Sequence, residues 1–294
     1  MTRVVVLGDV MVDVVARLDG PVAPGSDSPA RVAFQGGGQA ANTAAWLAVA
    51  GARVALVGRV GADAAGRDAV DELGALGVET RLSVDSERST GTCVVVVAPD
   101  GERTMFPDAG ANGGLGVADL PDDLFEAGDH LHVAGYALLR DGSRDAALAA
   151  VERAGAAGMT VSVDPSSAAL VSGGLRRLGK GVDLVVPNEL EAEALTGVSD
   201  PAAAARVLAE SFAEVVVTLG ESGALWTDGT ALLRVAAPAA DVVDTTGAGD
   251  AFAAGLLAAR VRGAGPEEAL EAGCALAARA VRVTGARPVS PQQS

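Results

Sequence analysis

A chain of 294 residues and 29.0 kDa, 49% of them hydrophobic, is long enough to bury a large core, as one sizeable domain with an appendage rather than two equal halves. Its net charge of −16 and pI near 4.5 argue against nucleic acid or an anionic membrane surface as a partner. Cys93 and Cys274 lie far apart and outside any CxxC or Cys/His cluster, so neither a disulfide framework nor a zinc site is expected, and both read as buried apolar residues.

The opening run MTRVVVLGDVMVDVV is broken by Asp9 and Asp13 and lacks a small-residue cleavage site, so it reads as a strand over Arg3–Leu7 and not as a signal peptide. No apolar stretch of about 18 residues follows anywhere, which argues against a membrane span and for a cytoplasmic protein. Two extended segments, Val12–Leu18 and Ala30–Phe34, precede a helix over Ala40–Ala50, a strand over Val54–Val57 and a helix over Ala64–Leu76. Next come two strands, Cys93–Ala98 and Glu102–Phe106, joined by the turn Pro99-Asp100-Gly101. Beyond them, strands over His130–Ala134, Thr160–Val163, Leu184–Val186 and Val215–Leu219 are interleaved with helices over Arg144–Ala157, Glu189–Leu195 and Pro201–Glu210. Helices over Asp250–Val261 and Pro266–Thr284 close the chain, and the tail after Pro288 should fray.

Short β-branched runs alternating with Ala/Leu-rich helices predict an α/β fold, a doubly wound and mainly parallel sheet with helices on both faces. Such a sheet binds ligands at the carboxyl ends of its strands. The segments at about 12–18, 30–35 and 92–108 break the alternation and read as antiparallel strands of a small β-sheet lid on a single domain spanning 1–294.

The chemistry concentrates at DTTGAGDAF, Asp244–Phe252. Val242 and Val243 end an extended run, Gly247 and Gly249 let the backbone turn, and Ala251 to Val261 is apolar enough for a buried helix. Free N–H groups of Gly247, Ala248 and Gly249 at the positive end of that helix would form an anion site. A carboxylate there, Asp250, is repelled by bound phosphate unless it collects a proton, which is the need of a general base for an attacking hydroxyl. The bland alternative makes Asp250 a helix cap.

DTTGAGDAF resembles the C-terminal signature of the PfkB, or ribokinase-like, family of carbohydrate and nucleoside kinases. GGQAAN from Gly37, continuing to GRVGADAAG at Gly58–Gly66, resembles that family's upstream signature, and the likeness runs from Gly8 to Pro288. It implies a ribokinase-like fold, ATP and Mg²⁺ as cofactors, and a lid that often pairs with the lid of a second subunit in a homodimer. By the same resemblance, Asp13 accepts hydrogen bonds from substrate hydroxyls, and Gly37, Gly38, Gln39 and Asn42 complete the substrate site. Asn188 and Glu191, from NxxE, organise Mg²⁺ through water. Thr218, Gly220 and Gly223, from TxGxxG, contact the nucleotide together with Asn188 and Thr246. Asp244 holds the turn beside a monovalent-cation site, which makes K⁺ activation an expectation.

Two departures bear on the acceptor: Gln39 stands where ribokinase-type sequences commonly carry Lys, and Met11 where they often carry Asn. The first argues against a phosphorylated sugar, since a second phosphate wants a fixed cation, and the second puts ribose itself in doubt. GAN at Gly110–Asn112 does resemble ribokinase. Tyr136, at a strand end, is a candidate to border the substrate, whereas His130, His132 and Trp46 read as packing residues. Phe34 and Phe106 either stack on a nucleobase or hold the lid together.

The reading is therefore ATP-dependent phosphorylation of a primary hydroxyl on a small uncharged sugar, with Asp250 as base. A nucleoside kinase is the alternative, and a non-catalytic sugar- or nucleotide-binding regulator a remote one. A dinucleotide-dependent oxidoreductase is argued against by GDVMVD, which stands where G-x-G-x-x-G would be needed.

Overall fold

The computed structural model describes residues 2–168 and 181–288; the expected fraying after Pro288 lies outside the described residues. Seven parallel strands make the body of the main sheet: β1 (Arg3–Leu7), β4 (Arg53–Gly61), β5 (Glu79–Asp85), β8 (His130–Ala134), β9 (Thr160–Asp164), β10 (Leu184–Val185) and β11 (Glu214–Thr218). Two antiparallel strands, β12 (Ala224–Thr227) and β13 (Leu232–Val235), extend one edge, giving the order β13-β12-β11-β10-β9-β8-β1-β4-β5. The winding reverses beside β1, between β4 and β8, and leaves a crevice at the strand ends there.

Alternation along β1 fixes the two layers. Val4 and Val6 face a core built with α1 (Gln39–Val49), α2 (Ala64–Ala75), α7 (Ala248–Arg260) and α8 (Pro266–Ala280). Val5 and Leu7 face the opposite core, against α4 (Asp141–Ala157), α5 (Glu189–Thr196) and α6 (Pro201–Leu208). A short α3 (Gly135–Leu139) follows β8. His130 and His132 are buried in the sheet and share the Ser162 hydroxyl, and Trp46 is buried with its indole N–H on the Ala286 carbonyl, so all three pack as expected.

A second, smaller sheet has the order β3-β2-β6-β7, from β2 (Met11–Leu18), β3 (Ala30–Gly37), β6 (Gly91–Val97) and β7 (Arg103–Asp108). Its outer pairs are antiparallel, as expected, but β2 and β6 run parallel, because each leaves the main sheet in the same direction. Cys93 lies on β6 and is only half-buried, which corrects its reading as a core residue; Cys274 is buried. The Asn112 side chain of GAN is a structural tie: Oδ1 accepts from Val10 N–H (2.9 Å) and Nδ2 donates to the Val10 carbonyl (2.9 Å), pinning the link from β1 to β2.

Three strands escaped the sequence reading. β5, ETRLSVD, is a half-exposed edge with little apolar signal, and β12 and β13 form a hairpin of four-residue strands, too short for a period to show. The helix over Pro266–Thr284 ends at Ala280, because the chain turns there to run under α7.

α7 and α8 approach so closely that a Cβ on Gly255 would stand 2.5 Å from the Ala272 carbonyl oxygen. Gly255→Ala should therefore separate the helix that carries the glycine loop from its neighbour, at a cost of about 1–3 kcal/mol. Thermal unfolding checks this, and an unchanged Tm would show that the contact is slack.

Candidate active site

The loop before α7 turns sharply because Gly247, the N-cap, adopts φ 75°, with no room for a side chain: a Cβ would lie 2.5 Å from the Ala286 carbonyl oxygen. Asp244 braces the turn from within. Its carboxylate accepts from Thr246 N–H (2.9 Å), Thr246 Oγ1–H (2.7 Å), Gly285 N–H (3.2 Å) and the Arg103 guanidinium (2.6 Å), and these bonds hold its carboxyl at about 2 against its desolvation. Three of these donors share Oδ1, and Gly285 N–H alone bonds Oδ2, so Asp244 holds the turn as expected. Thr246 is corrected: its hydroxyl bonds Asp244 and Arg103, and Thr245 lines the neighbouring cavity in its place.

Beyond the turn, Ala248 N–H donates to the Thr245 carbonyl (3.2 Å), while the N–H groups of Gly247 and Gly249 have no acceptor among the described residues. The expected three-donor anion site therefore has its free donors at the glycines flanking Ala248. A Cβ at Gly249 would meet nothing, so that position is open to a ligand.

Asp250, in the first turn of α7, accepts from the Asn42 amide (Nδ2 to Oδ2, 2.9 Å), which reaches it from the start of α1. Asn42 in turn accepts on Oδ1 from the buried Arg287 (Nε, 3.2 Å). Burial, together with the charges of Asp164, Asp9 and Asp13, pushes the Asp250 carboxyl well above the ordinary carboxylate range, opposed by the Asn42 hydrogen bond. Asp250 thus caps nothing, against the bland alternative; Gly247 is the cap.

Two cavities adjoin here, sharing Thr218 and Gly249 in their walls. A small one, about 160 Å³, is lined by Gln39, Asp164, Ser166, Asn188, Glu191, Gly249 and Asp250. A large one, about 860 Å³, is lined by Thr218, Gly220, Gly223, Thr245, Ala248, Gly249 and Phe252 among others, and is mostly apolar. Gly220 and Gly223 both have positive φ, and a side chain on Gly223 would collide with the β13 end at Val235. Asn188 and Glu191 form a reciprocal cap on α5: Asn188 Oδ1 accepts from Glu191 N–H and Glu191 Oε2 from Asn188 N–H, both at 2.9 Å. Glu191 is nonetheless buried, and burial with the nearby charge of Asp164 raises it to about 7; burial raises Asp164 to about 6.

Gln39 stands at the start of α1. Its amide accepts from the Ser166 hydroxyl and lines the small cavity with Asn188, Glu191 and Asp250. Ser166 is in a left-handed conformation (φ 72°) and also accepts from Tyr136 N–H (2.9 Å). Tyr136 itself sits in α3, half-buried under the Arg140 guanidinium.

Asp13 lies at the β2 end of the small sheet, its carboxyl raised to about 6 by burial against the pull of Arg287. A Cβ on Gly37 would collide with that carboxylate, and Gly38, at φ 92°, leads the chain over the Asp9 carbonyl into α1. Phe34 and Phe106 line neither cavity at Asp250 and stand 76% and 58% exposed, so stacking on a base in these cavities is not their use.

Sequence reasoning missed Asp9, Asp164, Ser166, Arg103 and Arg287. Asp9 and Asp164 stand at or just beyond strand ends, a signal that was available; the two arginines reach the site from β7 and from the C-terminal turn, which no local pattern marks.

A family model described as pfkB family carbohydrate kinase matches residues 1–293. The chain is 32% identical to an ATP-dependent ribose-1-phosphate kinase of Halopiger xanaduensis, over 98% of this chain and 94% of that protein. Among solved structures, adenosine kinase from Sinorhizobium meliloti superposes with a TM-score of 0.90 at 30% identity, covering 98% of this chain and 97% of that one. Fructokinase from Vibrio cholerae, bound to fructose, ADP and calcium, superposes with a TM-score of 0.85 at 30% identity, covering 99% and 96%.

Proposed function

The chain belongs to the PfkB family of carbohydrate kinases, phosphotransferases that act on sugar hydroxyls, and from that premise we propose that it transfers the γ-phosphoryl of ATP to a primary hydroxyl of a small uncharged sugar, with Asp250 as general base. The observation that carries this reading is the carboxylate of Asp250, desolvated and raised, in the wall of the small cavity, next to Gly249, which borders both cavities, and beside the free N–H groups of Gly247 and Gly249. A carboxylate raised above its ordinary range is a stronger base for collecting a hydroxyl proton. As the hydroxyl oxygen bonds to phosphorus and the bond to ADP breaks, its proton passes to Asp250. The glycine N–H groups and the α7 dipole stabilise the charge on the transferring group.

The large cavity suits the nucleoside part of ATP, with Thr218, Gly220 and Gly223 along its wall. The donor set of the small cavity fits hydrated Mg²⁺: Glu191 and Asp164 are buried like charges that a divalent cation would relieve, and Glu191 Oε1 is left over from the helix cap. Bound there, Mg²⁺ would neutralise phosphate charge, held through water by Glu191 and Asn188.

Gln39 shares the small cavity with Asn188 and Glu191, where this reading puts the phosphates, so it carries little weight for the acceptor. The preference for an uncharged sugar rests instead on Asp13 and Asp9, whose carboxylates would repel an anionic acceptor and accept hydrogen bonds from hydroxyls. The adenosine kinase neighbour keeps a nucleoside acceptor as the second reading. Against it, Phe34 and Phe106 line neither of the two cavities beside the glycine loop; Phe34 borders a separate one of about 310 Å³ with Val12, Glu72 and Arg287.

The outer face of the lid supports a homodimer. Phe34, Val14, Val94 and Phe106 occupy one register row across all four strands, with Val32, Ala16 and Val96 in the next. Phe34, Val32 and Phe106 are more than half exposed, and a small sheet with that apolar face is covered most economically by a second copy.

ATP turnover across pentoses, ketohexoses, nucleosides and sugar phosphates tests the reaction. At least one free sugar should be phosphorylated, fructose 6-phosphate and fructose 1-phosphate should not, and Asp250→Asn should lower kcat by roughly 10²–10⁴-fold with nucleotide binding intact. Efficient turnover of a sugar phosphate, or of nucleosides alone, overturns the acceptor assignment, and near wild-type turnover by Asp250→Asn overturns the base. For the metal, Glu191→Gln should raise the Mg²⁺ concentration at half-maximal rate and leave sugar affinity unchanged. Sedimentation at micromolar concentration should give a dimer, and Phe34→Glu a monomer.

A further inference from the structure

Arg287 lies beyond every motif that pointed to the site, yet it is tightly held beside it. It is 6% exposed, and each nitrogen of its guanidinium has a different partner: Nη1 meets Glu72 Oε2 (2.8 Å) from α2, Nη2 donates to the Gly37 carbonyl (2.7 Å), and Nε donates to Asn42 Oδ1 (3.2 Å). The bed beneath it is shaped for it, since a Cβ on Gly36 would strike the guanidinium. A planar fork with three fixed partners has one orientation, and neither lysine nor glutamine reproduces it.

The consequence falls on Asn42. Its amide has two ends of nearly equal shape, and the one that faces Asp250 decides whether that carboxylate receives a hydrogen bond or meets another acceptor. Arginine only donates, so it requires Oδ1 on its own side and thereby leaves the Nδ2 hydrogens for Asp250 Oδ2, at 2.9 Å. With that oxygen occupied, Oδ1 of Asp250 remains for the substrate hydroxyl.

We propose that Arg287 is a positioning residue that fixes the orientation of the Asn42 amide and so holds Asp250 as an unprotonated acceptor with one free oxygen. The inference rests on the reading of Asp250 as the base. The relay runs Glu72, Arg287, Asn42, Asp250, and it joins α2, the C-terminal turn, α1 and α7. The other charges that bear on Asp250 are carboxylates: Asp9 after β1, Asp13 on β2 and Asp164 at the end of β9, all of which favour its protonated form. Arg140, from the turn before α4, acts on Asp9, and Arg287 also acts on Asp13. Turned around, the Asn42 amide would present an oxygen to Asp250 and favour the protonated acid, which cannot take a proton from substrate.

Two variants separate orientation from charge. Arg287→Met removes the donors, and Arg287→Lys keeps a positive charge near Glu72 without the Nε–H that sets the amide. The first readout is the titration of the Asp250 carboxyl by ¹³C NMR, assigned with Asp250→Asn; the second is kcat against pH. Both variants should raise the Asp250 midpoint by at least about one unit, move the acid limb of kcat upward equally, and lower kcat near neutral pH about tenfold, with KM for ATP unchanged and activity recovering at high pH. If Arg287→Lys leaves the midpoint at the wild-type value, the residue acts through charge and the proposal is overturned. A loss of kcat that no pH restores, with an unmoved midpoint, also overturns it. Should Arg287→Met not fold, Arg287→Lys alone decides. If the midpoint moves but Asp250→Asn retains turnover, the base assignment fails and the positioning stands.

Discussion

Asp9, Asp13, Asp164 and Asp250 are brought together where the sheet ends, the small sheet and α7 meet, and their shared desolvation is the constraint that the surrounding structure answers. Each raises Asp250, and Asp9, Asp13 and Asp164 are themselves raised by burial. Left alone, such a group of acids would protonate or draw in water. The fold offsets it with few cations and several neutral donors: Arg287 beside Asp13, Arg140 beside Asp9, the Ala40 N–H on Asp9, the Ser166 N–H on Asp164 and the Asn42 amide on Asp250. A protein optimised for stability alone would not gather these charges, which is the sense in which the site is legible as functional.

The position of that cluster follows from topology. The winding of the parallel sheet reverses beside β1, so the loops after β1, β8 and β9 open at one end and deliver Asp9, Tyr136 and Asp164 to a common crevice. α7 then places its free N–H groups over that crevice, braced from below by the C-terminal turn. Gly285 N–H and the Ala286 backbone contact the glycine loop, Trp46 donates to Ala286 (2.8 Å), and Arg287 reaches Asn42. The last described residues are therefore a structural part of the centre.

The small sheet is tied to the same loop by charge. Arg103 on β7 pairs with Asp244 at 2.6 Å and bonds Thr246, and Arg17 on β2 stands 3.8 Å from Asp244. Asp244 thus serves two elements at once, bracing the glycine turn and receiving the lid, in a partly buried setting where such a pair is worth more than at the surface.

What the sequence determined by itself was what local pattern carries. The period-2 and 3.6 runs marked β1, β8, β9 and α7 closely, because strands buried on both faces and apolar helices have strong signals. DTTGAGDAF and GGQAAN marked Asp250, Gly247 and Asn42, because turns that need positive φ demand glycine where the chain folds back. The faint elements were lost for other reasons: β5 and β13 are edge strands, half exposed, with little apolar periodicity to read, and β12, though buried, is only four residues long. Only the tertiary structure decided which side chains share a charge environment. It turned Gln39 towards Ser166, gave Asp244 to Arg103 and Thr246, and brought Arg287 from the end of the chain to Asn42. Those pairings join residues 127, 141 and 245 positions apart, and a contact at such separation is set by how sheets and helices pack, which leaves no trace in the spacing of residues along the chain.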